Sequence, residues 1–199
     1  MKSITACVLA LLGAAACAED AAPGPAEPPG RELLMPRDDV PGVGNFAKVS
    51  DVLFRGEQPT AEGMAELKKM GIKTVINLRA FHSDRDELKG TGLNYVHIYC
   101  KAWHPEEEDV LAFLKVVSDP KYQPVFVHCQ HGADRTGMMC ASYRIVKAGW
   151  AATDAAKETH NFGFHQIFKD IQKYLLTMKA EAMEKLLEST PLPKIDVVK

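Results

Sequence analysis

The 199-residue sequence lacks a surplus of positive charge: 24 Lys and Arg stand against 26 Asp and Glu, a formal net charge of −2 with His neutral. That balance excludes the broad basic field on which nucleic-acid binding usually rests. Any anion the protein handles must be held by a local positive site. The sequence also lacks an apolar run of bilayer-spanning length, because its longest, Ile4 to Ala16, is too short. It has no internal repeat and only five cysteines, whose spacing fits no zinc pattern. What remains, 46% hydrophobic and 25% charged, is the composition of one soluble domain with a real core.

The first residues have a different character. Met1 and Lys2 make a positive start to the short apolar run, the layout of a signal peptide over residues 1–18. Ala16-Cys17-Ala18 fits a small-x-small cleavage site before Glu19. Ala14 to Cys17 also resembles a lipoprotein box, with Ala14 where Leu is usual and Cys17 as the lipidated residue. Export is therefore expected, either to the periplasm or to a lipid anchor on the bacterial envelope. Residues 19–40 are rich in Pro and Gly and read as a spacer. A folded domain is expected over 41–188 and a tail over 189–199. With Cys7 and Cys17 in the signal region, Cys100, Cys129 and Cys140 remain. An odd number leaves a free thiol, a liability in an oxidising compartment unless protected or used.

Within the domain, two short extended runs flank Ser50-Asp51. Thr60 is placed to cap a helix reaching Met70, and Gly71 stops it. Lys73 to Leu78 and Leu93 to Tyr99 read as strands, with Ser83 a cap for a helix from Asp84 to Lys89. Pro105 and the acidic run Glu106 to Asp109 suit a helix start. Pro124 to His128 is a buried-strand signature, followed by a helix from Thr136 to Ala148. A helix capped by Thr153 and one from His165 to Leu187 close the domain. The alternation predicts an α/β fold with a mainly parallel sheet. Its site is expected where a loop leaves the carboxyl end of a strand.

The run His128-Cys129-Gln130-His131-Gly132-Ala133-Asp134-Arg135-Thr136-Gly137 occupies such a place. A loop of this length can curl so that its backbone N–H groups converge, and Gly132 permits a torsion other residues resist. The next helix adds its positive N-terminal end. Gln130, His131, Gly132, Ala133, Asp134 and Arg135 thus form an expected phosphate cradle over the Cys129 sulfur. Amide dipoles and Arg135 favour the thiolate, which is the nucleophilic form. Arg135 can grip two phosphoryl oxygens bidentately, and Thr136 can hydrogen-bond the sulfur as it leaves. Two displacements through a phosphocysteine would then hydrolyse a phosphate ester. The plainer reading of Cys129, a buried cysteine at a strand end, leaves the glycines, Arg135 and Thr136 unexplained.

The pattern His-Cys-x5-Arg-Thr-Gly resembles the signature of the protein tyrosine phosphatase superfamily. Phe46 to Phe168 resembles its compact dual-specificity type. Arg55-Gly56, Val75 to Arg79 and the acidic helix start resemble the plant-and-fungal atypical branch and related bacterial proteins. The resemblance implies a sheet of four or five strands flanked by helices, and a phosphoric monoester hydrolase with no cofactor and no metal. Family members supply a general acid, usually Asp, about thirty residues before the cysteine. Here that position falls on His97, Ile98 and Tyr99. Asp134 and Glu107 are the alternative acids, each with a plainer reading, as a loop-shaping ion pair and as helix-start electrostatics. Arg79 is a candidate substrate contact. Lys101, His104 and His131 would suit a multiply charged substrate, and Cys100 is a candidate protective partner for Cys129. The expected partner is a phosphorylated protein or an inositol phosphate; a phosphate-binding module without turnover is the alternative of another class.

Overall fold

The computed structural model describes residues 32–198. The expected signal segment, Cys17 and most of the spacer lie outside the described residues. Six strands form one sheet: β1 (Ala47–Lys48), β2 (Leu53–Gly56), β3 (Thr74–Asn77), β4 (Asn94–His97), β5 (Val125–His128) and β6 (Ile195–Val197), in the order β1-β2-β5-β3-β4-β6. The central four are parallel, and the short edge strands β1 and β6 run antiparallel. The sheet is thus mainly parallel as expected, with more strands than expected. The last strand comes from the segment expected to be a tail: Asp196 pairs with Tyr95, and its carboxylate forms an ion pair with Arg85.

Successive residues of the central strands bury on opposite faces, as the pleat requires. Ile76, Val96, Val125 and Val127 face one core, with α2 (Glu107–Ser118), α3 (Asp134–Val146), α4 (Ala152–Asn161), α5 (Lys169–Thr177) and α6 (Ala180–Ser189). Val75, Tyr95 and Phe126 face a second core completed by Met64 and Leu67 of α1 (Ala61–Lys69) and by Phe46. Such two-sided cover is why the central strands read as unbroken apolar runs. No helix among the described residues is long and apolar enough to cross a membrane.

Thr60 caps α1 by accepting a hydrogen bond from the Gly63 N–H, as its sequence position predicts. Elsewhere the boundaries move. Residues 85–90 form turns where a helix over 84–89 is expected, because Asp84 turns inward to a buried polar cluster. Pro105 precedes α2, which starts at Glu107. Thr153 lies inside α4, whose cap is Ala151. The single helix expected from His165 to Leu187 is two, separated by the extended backbone of Met178 and Lys179. That break lets Ile171 and Leu175 on one helix, and Met183 and Leu187 on the other, all reach the core. Residues 32–40, assigned to the spacer, make defined contacts: Leu34 N–H donates to Glu158 and Arg37 pairs with Phe46 through both backbone groups.

Candidate active site

The loop from Cys129 to Ala133 leaves β5 at its carboxyl end and runs directly into α3, which begins at Asp134, two residues earlier than expected. Three consecutive loop carbonyls are held from outside. Gln130 O accepts from the Gln58 backbone N–H at 3.2 Å. His131 O accepts from Asn45 Nδ2 at 2.9 Å, and Gly132 O from the Arg55 guanidinium. Turning the carbonyls outward turns the amides inward: no hydrogen bond among the described residues uses the N–H of Gln130, His131, Gly132 or Ala133. That is an anion cradle built from backbone, with the α3 N-terminus at its side.

Gly132 is required twice over. Its φ is +67°, and a Cβ there would stand 2.6 Å from the Gly56 carbonyl carbon and oxygen. The left-handed torsion costs any other residue, and the clash is with backbone that β2 fixes. Beneath the loop, Arg55 is 1% exposed and its guanidinium lies 3.6 Å from the centroid of the Phe162 ring. Burial holds its pKa below the ordinary arginine value, with Arg144 adding to that shift and Cys140, Glu158 and Cys129 opposing it. Arg55 acts as a buried cation bracing the loop, a role that lay outside the signature motif.

The second support is a polar cluster around Asp84, which has no exposed surface. Its carboxylate accepts from Asn77 Nδ2 at 2.9 Å and from Gln58 Nε2 at 3.0 Å. It also lies 2.7 Å from Nε2 of His128, the residue before the nucleophile. Burial pushes the Asp84 carboxyl up, but the hydrogen bonds from His128 and Gln58 and the nearby histidines outweigh it, leaving the pKa below the usual range. The sign follows: a depressed folded pKa gives stability that is full above the unfolded value of about 3.9 and is lost as pH falls through the folded value. Asp84→Asn is therefore expected to cost about 1–3 kcal/mol in urea unfolding near neutral pH. The difference from wild type should shrink as pH falls through the depressed folded value; a cost independent of pH would contradict this assignment.

Cys129 is buried at the floor of the loop. Arg135 donates from Nη1 to the Leu78 carbonyl at 3.3 Å, and its Nε is buried without a partner among the described residues. Thr136 Oγ1 is likewise buried and unpartnered, so the expected bond to the sulfur is not formed in this geometry. Arg135 and Gln130 open onto a cavity of about 300 Å³ lined also by Arg79, Lys101, Cys100 and three aromatic rings, Phe81, Trp103 and Phe168. Phe81 is 96% exposed and Trp103 61%. Arg79 and Lys101 already have partners, Gln58 Oε1 at 3.0 Å and Glu106 at 3.4 Å.

The two alternative acids lie elsewhere. Asp134 accepts from the His165 backbone N–H at 2.8 Å, and its carboxylate is 3.0 Å from His165 Nδ1, which ties the start of α3 to the segment after α4. Glu107 faces Tyr174, Thr177 and Met178 in a separate pocket. His104 lines another, with Asp170 and Lys173, and His131 is exposed with its ring centroid 6.3 Å from that of His165. Asp109 in the first turn of α2 behaves differently. Burial, together with Glu106, raises its carboxyl above the ordinary range, and the neighbouring Cys100 thiol, which lines the cavity, opposes that shift. Burial also pushes up the Cys100 thiol, and that of Cys140 to about 11.

A parallel sheet with a cysteine-headed amide loop, an arginine six residues on and a helix at once is the arrangement found in cysteine-dependent phosphatases of the compact dual-specificity type. The chain belongs to the family described as DSP-PTPase phosphatase fused to NAD+ kinase, whose family model matches residues 44–173. It is 32% identical over 121 residues to the dual specificity protein phosphatase TpbA of Pseudomonas aeruginosa (strain UCBPP-PA14), covering 60% of this chain and 55% of that one. The chain thus spans little more than half the length of that relative. It is 28% identical over 139 residues to the inositol diphosphatase DSP3 of Arabidopsis thaliana, covering 63% and 68%. The crystal structure of P. aeruginosa TpbA in complex with phosphotyrosine superposes with a TM-score of 0.67 at 25% identity, covering 77% of this chain and 96% of that one.

Proposed function

We propose that the protein hydrolyses phosphate monoesters through a phosphocysteine on Cys129, with Arg135 clamping the phosphoryl oxygens, and that its preferred substrates carry an aryl phosphate such as phosphotyrosine. The observation that carries the substrate reading is the ring of Phe81, Trp103 and Phe168 around the cavity that Arg135 enters. Aromatic walls suit a flat apolar leaving group. An inositol polyphosphate is the second reading, because Arg79 and Lys101 line the same cavity. It is the weaker one, since both cations are already paired. The relatives include both kinds of enzyme by name. Phosphate release from a phosphotyrosyl peptide and from inositol hexakisphosphate, measured side by side, is expected to favour the peptide by about tenfold or more in kcat/KM. The reverse order would select the inositol reading. The amino-terminal sequence supports export, with a lipid anchor at Cys17 as one form of it.

The leaving oxygen needs a proton, and Asp109 is proposed as its source. A carboxyl raised by burial stays protonated closer to working pH, which a general acid requires. Asp109→Asn is expected to lower kcat about 10²-fold or more on a phosphoserine peptide, whose alkoxide is a poor leaving group. It should lower kcat far less on p-nitrophenyl phosphate, whose leaving group departs unaided. Equal losses on both substrates would remove Asp109 from this role.

A further inference from the structure

Outside the cradle, His82, Asp84 and Glu87 bring three metal-ligating atoms within 4.8 Å of one another. We propose that they form a divalent-cation site of zinc-binding chemistry, one that bears on the phosphate loop through Asp84 and His128. It is independent of the phosphatase reading and supplies no step of the reaction.

The separations are compatible with three ligands drawn around one ion. His82 Nε2 lies 3.6 Å from Asp84 Oδ1 and 3.6 Å from Glu87 Oε1. Both separations are too long for hydrogen bonds, which run about 2.7–3.2 Å. They are close to the spacing of about 3.3–3.4 Å between two ligands on a tetrahedral ion with bonds of about 2.0–2.1 Å. His82 Nε2 and Glu87 Oε2 are both buried with no hydrogen-bond partner among the described residues. Buried polar atoms without partners are costly, and a cation between these side chains would satisfy both at once. One imidazole and two carboxylates make a donor set suited to zinc, with a fourth position left for water.

The surroundings resemble the outer support that metal sites need. Asp84 is oriented by Asn77, Gln58 and His128, and such outer hydrogen bonds fix ligand geometry. A cation taking Asp84 Oδ1 competes with the amides of both Gln58 and Asn77 at that oxygen. Gln58 in turn holds Arg79 at the cavity and the Gln130 carbonyl of the cradle. Phe81, the residue before His82, stands at the cavity rim. Occupancy at this cluster therefore reaches two cavity-lining residues, Arg79 and Gln130, through Gln58.

The test must keep zinc away from the catalytic thiol, so it uses the full mature chain carrying Cys129→Ser. Zinc chloride is titrated by calorimetry into the chelator-treated protein, and cobalt(II) absorption reports coordination directly. One zinc per chain is expected, with binding weakened about tenfold or more by His82→Ala and also by Glu87→Gln. Both side chains are partly exposed, and circular dichroism confirms that each variant is folded. No binding to the Cys129→Ser chain up to about 100 µM free zinc, or binding that both variants leave unchanged, would overturn the site.

Discussion

Replacing Cys129 by serine is expected to lower phosphate release by about 10⁴-fold or more on any substrate the protein accepts. Serine keeps the size of the side chain but presents an un-ionised hydroxyl where the mechanism needs a thiolate. The loop itself should persist, because its shape is set by Arg55, Asn45 and Gln58 acting on carbonyls that the substitution does not touch. Binding of a phosphate-like oxyanion such as tungstate, followed by calorimetry, is therefore expected to stay within a few-fold of wild type. Loss of binding together with turnover would mean that the substitution had disturbed the cradle, and the chemical interpretation would fail. Retained turnover would remove Cys129 as nucleophile.

Arg135→Lys is expected to cost about 10²–10³-fold, mainly in kcat. Arg135 leaves the first turn of α3 with Nη1 on the Leu78 carbonyl, so its guanidinium plane is already oriented before substrate arrives. A planar fork can hold two equatorial phosphoryl oxygens as charge redistributes in the transition state, whereas an ammonium can offer only a point charge. Lysine also leaves the Leu78 carbonyl short of the donor it has in the wild type. Steady-state kinetics on one aryl phosphate separate the outcomes: a kcat loss supports transition-state contact, and a change confined to KM would reduce Arg135 to ground-state binding.

The parts of the site that could be read from sequence are those that are contiguous in it. Cys129, Gly132 and Arg135 fall within seven residues, and the apolar runs on either side fix the strand and helix that present them. The supports of the loop come from far away: Asn45 meets a carbonyl 86 residues on, and Arg55 one 77 residues on. No local pattern announces such pairings. Asp84 was hidden differently, since Ser83 followed by charged residues has the look of a helix start, and only the tertiary pull of His128 and Asn77 turns it inward. Asp109 was masked by its neighbours, because four consecutive acidic residues at a helix N-terminus read as dipole complementation. Burial alone separates it from Glu107, and burial is set by how α2 packs beside Cys100. The strand at Ile195–Val197 has the same origin: three ordinary residues become β6 because the edge of β4 is there to pair with.

The contact between Asp84 and His128 links the loop to the cluster at His82 and Glu87. Gln58 is the shared element, touching Asp84, Arg79 and Gln130 through its side chain and backbone. Substrate contacts at the cavity and the cation proposed at His82 and Glu87 thus act on one hydrogen-bonded residue, which gives the fold a physical route between them.

The central claim is that a phosphoryl group passes through the Cys129 sulfur, and rapid acid quench during turnover tests it most directly. Wild-type protein mixed with an aryl phosphate, quenched and digested, should yield the peptide containing Cys129 heavier by one phosphoryl group, and the Cys129→Ser chain should not. Steady turnover in the wild type with no such adduct at any quench time, or an adduct on another residue, would contradict the phosphocysteine mechanism.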